Sequence, residues 1–357
     1  MSKLYYVGID SGKGNTKVIA GNNKDAPKQI IFPTKMEEVN YDVPNLGIGN
    51  VIDLNGIKTL VGVEGGYSGE STKKLDLHRR SAYKALALTV PNKSDIVVAI
   101  GCTLNQFKNP EDRNEYIRFM LNLAEDDERV PNEEDIKLSF LMDGVKYTYN
   151  VKMMKALPEA SGYLLLNEEQ FEDEYDDIAI LDFGGRNVNG AIYRRSLHDE
   201  SLNIQLGQCF TIDEGANSYK EALVQVLNSQ YQLNLQLDAM ETALLRGYVR
   251  SNTNPNLKEE SKDIISKKKA ELINAVVQKM LHLKWSVDST RFIFIGGGSL
   301  LFREEIMKTP AFGSDIIISD QNDKRALWYN VMGFAKATGL EIPSEFYADK
   351  EMATVQE

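Results

Sequence analysis

Residues 7–17 read V-G-I-D-S-G-K-G-N-T-K and residues 180–190 read I-L-D-F-G-G-R-N-V-N-G. A shift of 172 positions lays one on the other, so that Asp10 meets Asp182, Gly12 meets Gly184 and Asn15 meets Asn187. In each copy an apolar, β-rich run ends in aspartate and glycines turn the chain into a second strand, the pattern of a hairpin.

The order around the two copies also repeats. After the first come strand-like text from Gln29 to Val63, a helix over His78 to Leu88 and a buried-type strand over Asp95 to Gly101. A helix is expected from Pro110 to Leu123, a hairpin over Leu138 to Lys155 about Asp143-Gly144, and a short helix opened by Pro158-Glu159. After the second come strands over Val188 to Tyr193 and Asn203 to Phe210, then helices over Ala216 to Leu227, Leu233 to Leu245 and Glu259 to Leu283. In the last of these Ile265, Leu272, Val276 and Met280 share a face, and Lys267 to Lys269 read as a solvated face. Strand Phe292 to Ile295, a helix near Leu300 to Met307, strand Asp315 to Ile318 and helix Lys324 to Ala337 complete the order. Two copies of one supersecondary order predict a duplicated, two-lobed α/β protein.

Size and composition agree with that reading. At ~150 residues per domain, 357 residues give about two domains, and 42% apolar residues suffice for large cores. Forty-one Lys and Arg against 52 Asp and Glu leave a net charge of −11, which disfavours direct binding to nucleic acid over a broad surface. Cys102 and Cys209 fit neither a disulfide scaffold nor a zinc module, and His78, His198 and His282 are too scattered for a metal cluster readable in sequence. No apolar run reaches the ~18 residues of a membrane span, and the N-terminal text has no signal-peptide core. The expectation is a cytoplasmic protein without a membrane partner.

The glycine turns suit a polyphosphate. A tight hairpin at the end of a buried strand aims consecutive backbone N–H groups into one concavity, and glycine admits a phosphate without a Cβ clash. Ser11, Gly12, Lys13, Gly14 and Asn15 form the first turn, and Gly184, Gly185, Arg186 and Asn187 the second. A carboxylate this close to phosphates would repel them, so Asp10 is expected to act through a hydrated Mg²⁺, as is Asp182 from the second hairpin. Lys17 would return along the second strand to the β- or γ-phosphate. The run I-F-I-G-G-G-S-L at 293–300 lacks the dinucleotide G-x-G-x-x-G spacing, and Gly296, Gly297, Gly298 and Ser299 would let adenine and ribose lie against backbone. Hydrolysis needs a water held in line, and Glu159 is the candidate to orient it.

Taken together these stretches resemble the actin-like ATPase superfamily over nearly the whole chain. V-G-I-D-S-G-K-G-N-T-K looks like the first phosphate motif, P-E-A-S-G at 158–162 the first connecting motif, and I-L-D-F-G-G-R-N-V-N-G the second phosphate motif. I-F-I-G-G-G-S-L looks like the adenosine motif and N-V-M-G-F-A at 330–335 the second connecting motif. The short β-rich insert before His78, the P-E-x-x-G form and D-E-G-A-N-S-Y-K-E-A-L at 213–223 are similar to the plasmid-segregation actins of the ParM type and their archaeal relatives.

The resemblance implies an actin-like, ribonuclease H-like duplicated fold with a nucleotide cleft between two lobes. Lobe I would hold residues 1–160 and 325–345, with a β-rich insert about 28–75. Lobe II would hold 161–324, with a helical insert about 228–260, leaving a tail at 346–357. ATP or GTP would bind with Mg²⁺, with Glu159 and Asp182 positioning the hydrolytic water and Gly215, Lys220 and Glu221 lying near the nucleotide. The implied partners are further copies of the chain, head to tail in a filament, and a DNA-binding adaptor at a centromere-like site. Two residues depart from the family pattern: Arg186-Asn187 stand where a hydroxyl residue is usual, and Lys13 is a cation where many relatives carry a small or neutral residue. The alternative from the same fold is a monomeric or dimeric phosphatase or kinase acting on polyphosphate or a small molecule.

Overall fold

The computed structural model describes residues 3–39, 50–62 and 72–343, apart from 125, 128, 130, 131, 172–176, 197, 199, 200, 253 and 321. The chain divides into two compact units, one of Met1–Gln170 with Trp328–Glu357 and the other of Phe171–Leu327. Parts of the expected insert, 40–49 and 63–71, and the expected tail, 346–357, lie outside the described residues.

In the first unit β1 (Leu4–Ser11) and β2 (Asn15–Gly21) form the first hairpin, with Asp10 opposite Lys17. There follow β3 (Lys28–Pro33), β4 (Met36–Glu38), β5 (Asn50–Leu54), β6 (Ile57–Val61), α1 (Asp76–Thr89) and β7 (Asp95–Cys102). Then come α2 (Leu104–Lys108), α3 (Pro110–Met120), β8 (Ile136–Met142), β9 (Val145–Pro158) and α4 (Gly162–Asn167). The strands make a nine-stranded sheet in the order β3-β2-β1-β7-β9-β8-β5-β6-β4. Asp143 and Gly144 take φ of 52° and 77°, the double left-handed turn that joins β8 to β9 and that their types favour.

In the second unit β10 (Asp177–Phe183) and β11 (Val188–Arg195) form the second hairpin, with Asp182 opposite Asn189. After β12 (Leu202–Ile204) and β13 (Phe210–Ile212) come α5 (Ala216–Tyr231), α6 (Leu237–Arg246) and α7 (Leu257–His282). The unit continues with β14 (Thr290–Ile295), α8 (Gly297–Leu301), α9 (Arg303–Lys308) and β15 (Ile316–Ile318), and α10 (Tyr329–Thr338) returns to the first unit.

The row β3-β2-β1-β7-β9 has the order of β12-β11-β10-β14-β15. The sense of pairing matches at every join: antiparallel on the hairpin side of β1 and β10, parallel on the other. The duplication read from the sequence is therefore a duplication of topology. Each central strand is an almost continuous apolar run because helices and loops cover both faces, and all seven residues of β10 are buried. Each unit has its own core, one including Val7, Val98 and Met154 and the other Leu181, Phe294 and Val276.

Several expectations need correction. Pro158-Glu159 does not open a helix: Pro158 is the last residue of β9, and α4 starts at Gly162 after a turn in which Ala160 has φ 64°. The strand expected over Asn203 to Phe210 is two short strands separated by a 3₁₀ turn at Leu206–Gln208. The helix expected near Leu300 begins at Gly297 and breaks at Phe302, and that expected from Lys324 is a 3₁₀ turn, Lys324–Leu327, followed by α10. Of the solvated lysine run, Lys269 is buried and faces Glu305 at 3.9 Å, because it falls on the face of Ile265 and Leu272.

Candidate functional site

The two glycine turns are closed by the same hydrogen bond. Gly12 N–H donates to Asn15 O at 3.1 Å, and Gly184 N–H donates to Asn187 O at 2.9 Å. The shift that aligns the letters thus aligns the bonds, and in each unit the turn begins at the residue after the central strand, two beyond its aspartate. What surrounds the two turns differs.

In the first unit Asp10 is buried, and its Oδ2 accepts from Lys17 Nζ at 3.2 Å across the hairpin register. Its Oδ1 lies 3.6 Å from Nζ of Lys73, which stands just before α1. Lys73 Nζ also pairs with Glu159 Oε1 at 2.7 Å and donates to Gly101 O at 3.4 Å. Burial alone would raise the Asp10 carboxyl, but Lys17 and then Lys73 outweigh it and hold its pKa below the ordinary carboxylate value. Four charges therefore lie together, two acids and two ammonium groups.

Glu159 itself is buried, and its position is fixed through the backbone: its N–H donates to Cys102 O, at the end of β7, at 3.0 Å. Just beyond it the two connecting stretches cross. A Cβ on Gly162 would stand 2.2 Å from Asn330 Cα, and one on Gly333 would stand 2.1 Å from Gly162 O, so only glycine permits this approach of α4 to α10. Gly162 N–H donates to Asn330 Oδ1 at 3.3 Å.

Ser11 is turned inward. Its Oγ lies 3.3 Å from Thr16 Oγ1 and 3.1 Å from His78 Nδ1, and Thr16 continues to Thr34 at 2.8 Å. Any contact of Ser11 with a ligand therefore falls to its backbone. Burial pushes the His78 imidazole down to about 3, so it is neutral near pH 7. Lys13, Gly14 and Asn15 sit in the turn, where Gly14 O accepts Thr34 N–H at 3.0 Å.

In the second unit the surroundings are amides. Asn187 Nδ2 donates to Asn189 Oδ1 at 3.3 Å, and Thr211 Oγ1 donates to the same oxygen at 2.8 Å. The start of α5 is stitched to the turn: Ala216 N–H donates to Gly184 O at 3.0 Å and Asn217 N–H to Gly185 O at 2.6 Å. Those two helix N–H groups are spent on the hairpin. Arg186 Nη1 pairs with Glu221 Oε2 at 2.8 Å, so two residues expected near the nucleotide bind each other, with Lys220 beside them on α5. Gly215, the residue before α5, is buried against Gly184, Arg186 and Asn187.

The 296–298 glycines serve the same hairpin. Gly296 has φ 82°, and a Cβ there would stand 2.4 Å from Asp182 Oδ1 and 2.5 Å from Phe183 O. Ser299, buried, donates from Oγ to Gly296 O at 2.7 Å and closes the turn into α8. The structure thus joins Gly184 to Asn187, Gly215, Glu221 and Gly296 to Ser299 about one end of β10, and joins Ser11, Lys17, Asp10 and Glu159 about one end of β1. Lys73, Tyr116 and Asn330 stand beside the β1 group without having been expected there. Lys73 lies in S-T-K-K-L-D with nothing to distinguish it from Lys74, whereas Asn330 opens a motif whose glycine could have singled it out.

Carboxylate oxygens standing singly suit a magnesium ion that keeps its waters, and no cluster of three His, Cys, Asp or Glu side chains able to hold a metal directly occurs among the described residues. Asp10, ionised in a dry setting, and Asp182, against the strained Gly296 turn, are chemically fit for that outer-sphere role.

Comparison with known proteins agrees with the topology. Residues 8–162 match the family model of the actin-like proteins' N-terminal domain. Ta0583, an archaeal actin homolog, superposes with a TM-score of 0.70 at 19% identity, over 93% of this chain and 98% of that one; its complex with ADP gives 0.67 at 19%, over 95% and 99%. The Alp12 filament structure gives 0.64 at 23% identity, over 95% and 99%, and a 15-stranded ParM filament from Clostridium botulinum gives 0.67 at 15%, over 95% and 99%. No curated protein sequence matches the chain. The chain thus has an actin-like fold of mixed α/β class. Within its first unit residues 8–162 are similar to the actin-like N-terminal domain, and the structures that share the fold include archaeal, Alp and ParM proteins.

Proposed function

We propose that the chain is a Mg²⁺-dependent nucleoside triphosphatase, taking ATP or GTP, that assembles head to tail into nucleotide-dependent filaments. The observation that carries this reading is the pair of aspartate–glycine–asparagine turns, closed by the same hydrogen bond at the end of each central strand. Backbone N–H groups of 13–15 and 185–187 would hold the phosphates, and Lys17 would add a point charge to them. Gly296 to Ser299 with Lys220 and Glu221 would hold the nucleoside. Asp10 and Asp182 would bind Mg²⁺ through its waters, the ion neutralising phosphate charge, and Glu159 would orient the attacking water. The ADP complex of Ta0583 and the filaments formed by Alp12 and the Clostridium botulinum ParM support this reading by fold.

The filament would act in the cytoplasm and segregate plasmid DNA through a DNA-binding adaptor at a centromere-like site. The net charge of −11 fits a protein that reaches DNA through a partner and not directly. No helix among the described residues is long and apolar enough to cross a membrane. Light scattering and pelleting with ATP or GTP and Mg²⁺ test the assembly. Polymer formed with a triphosphate and dissolving after phosphate release is the expected result. Failure to assemble with either triphosphate, beside rapid hydrolysis by the monomer, would transfer the fold to the phosphatase or kinase alternative.

A further inference from the structure

Lys73 belongs to none of the motifs and has no part in the roles above, yet it is fully buried among them. Its ammonium meets Glu159 Oε1 at 2.7 Å, Asp10 Oδ1 at 3.6 Å and Gly101 O at 3.4 Å. An ammonium is costly to bury unless acceptors surround it, and here a carboxylate from each of two strand ends and a strand carbonyl do so. Burial favours its neutral form, but Glu159 and then Asp10 outweigh burial and hold the pKa above the ordinary lysine value. The charge is therefore permanent near neutral pH.

We propose that Lys73 is a positioning residue for hydrolysis: its ammonium fixes the Glu159 carboxylate in place through Oε1 and links it to Asp10. The inference rests on the reading of Glu159 as the group that orients the attacking water. A carboxylate at the end of a three-bond side chain needs such an anchor, since misplacement by about 1 Å costs on the order of a hundredfold in rate.

The other groups facing this cluster are Lys17 from β2, Tyr116 from α3, Cys102 from β7 and His78 from α1. Tyr116 donates its hydroxyl to Gly101 O at 3.2 Å. Burial pushes the Cys102 thiol up to about 12 and the His78 imidazole down to about 3, with Lys13 adding to the second effect and Arg113 opposing the first. Neither therefore titrates near neutral pH.

The test compares Lys73→Met, Lys73→Arg, Glu159→Gln and the double variant Lys73→Met/Glu159→Gln for kcat and KM, using Mg²⁺ with ATP or GTP. Lys73→Met is expected to lower kcat at least about tenfold with KM little changed. Lys73→Arg should recover part of that loss. The double variant should be no slower than Glu159→Gln alone. Wild-type kcat in Lys73→Met beside an inactive Glu159→Gln would overturn the proposal, as would a double variant in which the two losses multiply. Unchanged hydrolysis in Glu159→Gln would instead overturn the reading of Glu159 itself. Should Lys73→Met unfold below assay temperature, Lys73→Arg decides: a wild-type kcat contradicts the proposal, and a reduced kcat with KM little changed supports it.

Discussion

The two glycine hairpins share a backbone and differ in chemistry. Around the first, Asp10, Lys17, Lys73 and Glu159 form a buried cluster of charges. Around the second, Asn187, Asn189 and Thr211 form a chain of neutral hydrogen bonds, and an ion pair, Arg186 with Glu221, is partly exposed. Duplication gave each unit the same concavity of backbone donors, and the side chains then diverged. The first hairpin thus gathers charged groups and the second neutral hydrogen bonds. In the second, three stretches of chain converge on Asp182 and its turn: the start of α5, the Gly296 turn and β11.

The strongest way to break this picture is at the crossing of α4 and α10, which supports the charged half alone. Gly333→Leu would drive its side chain into Gly162 O, already 2.1 Å from an ideal Cβ. A loss of about 3 kcal/mol or more in the first unit is expected. Urea denaturation followed by hydrogen exchange in each unit measures it, and a loss spread evenly over both units would contradict the assignment of the contact to the first.

Next in size is Asp10→Asn. It leaves Lys17 and Lys73 each short of a carboxylate, and a loss of about 1 to 3 kcal/mol is expected from uncompensated buried charge. Asp182 stands opposite the neutral Asn189 in the hairpin register and against the Gly296 turn, so Asp182→Asn should cost less stability than Asp10→Asn under the same denaturation. Equal losses would erase the distinction between the hairpins.

A third test uses pH. His78 is neutral in the fold, with its pKa lowered to about 3 against an ordinary 6.5. The unfolded chain then binds the extra proton first, so stability is complete above about 6.5 and is lost as pH falls from there to about 3, by on the order of 1 kcal/mol per pH unit. Denaturation midpoints of the first unit at pH 7, 6 and 5 should fall in wild type and fall less in His78→Gln. Identical slopes would sink the assignment.

The smallest effect is expected at Arg186 and Glu221. Because Glu221 is more than a third exposed, a double-mutant cycle on this pair should give a coupling of about 0 to 1 kcal/mol. A larger value would mean that the second hairpin also depends on charge.

What the sequence revealed follows from how locally each feature is determined. The hairpins were legible because glycine, asparagine and a preceding apolar run specify a turn within a few residues, and Asp143-Gly144 was legible for the same reason. The duplicated topology followed from the repeated order. Glu159 stands out in the sequence, but the helix expected to open at Pro158-Glu159 does not form, since proline at 158 ends a strand as readily as it starts a helix and only the bond from Glu159 N–H to Cys102 O decides. Lys73 was invisible because its partners, Asp10 and Glu159, stand 63 residues before it and 86 after it. Lys269 was misread because a run of three lysines conceals that one of them falls on the apolar stripe of α7.

The central claim of the proposed function is that the charged cluster of the first unit carries hydrolysis, with Glu159 orienting the attacking water. Phosphate release and nucleotide affinity, measured together for wild type and Glu159→Gln with Mg²⁺ and ATP or GTP, test it most directly. The account predicts affinity within a few-fold of wild type and hydrolysis slower by at least about a hundredfold. Hydrolysis at the wild-type rate in Glu159→Gln would contradict it.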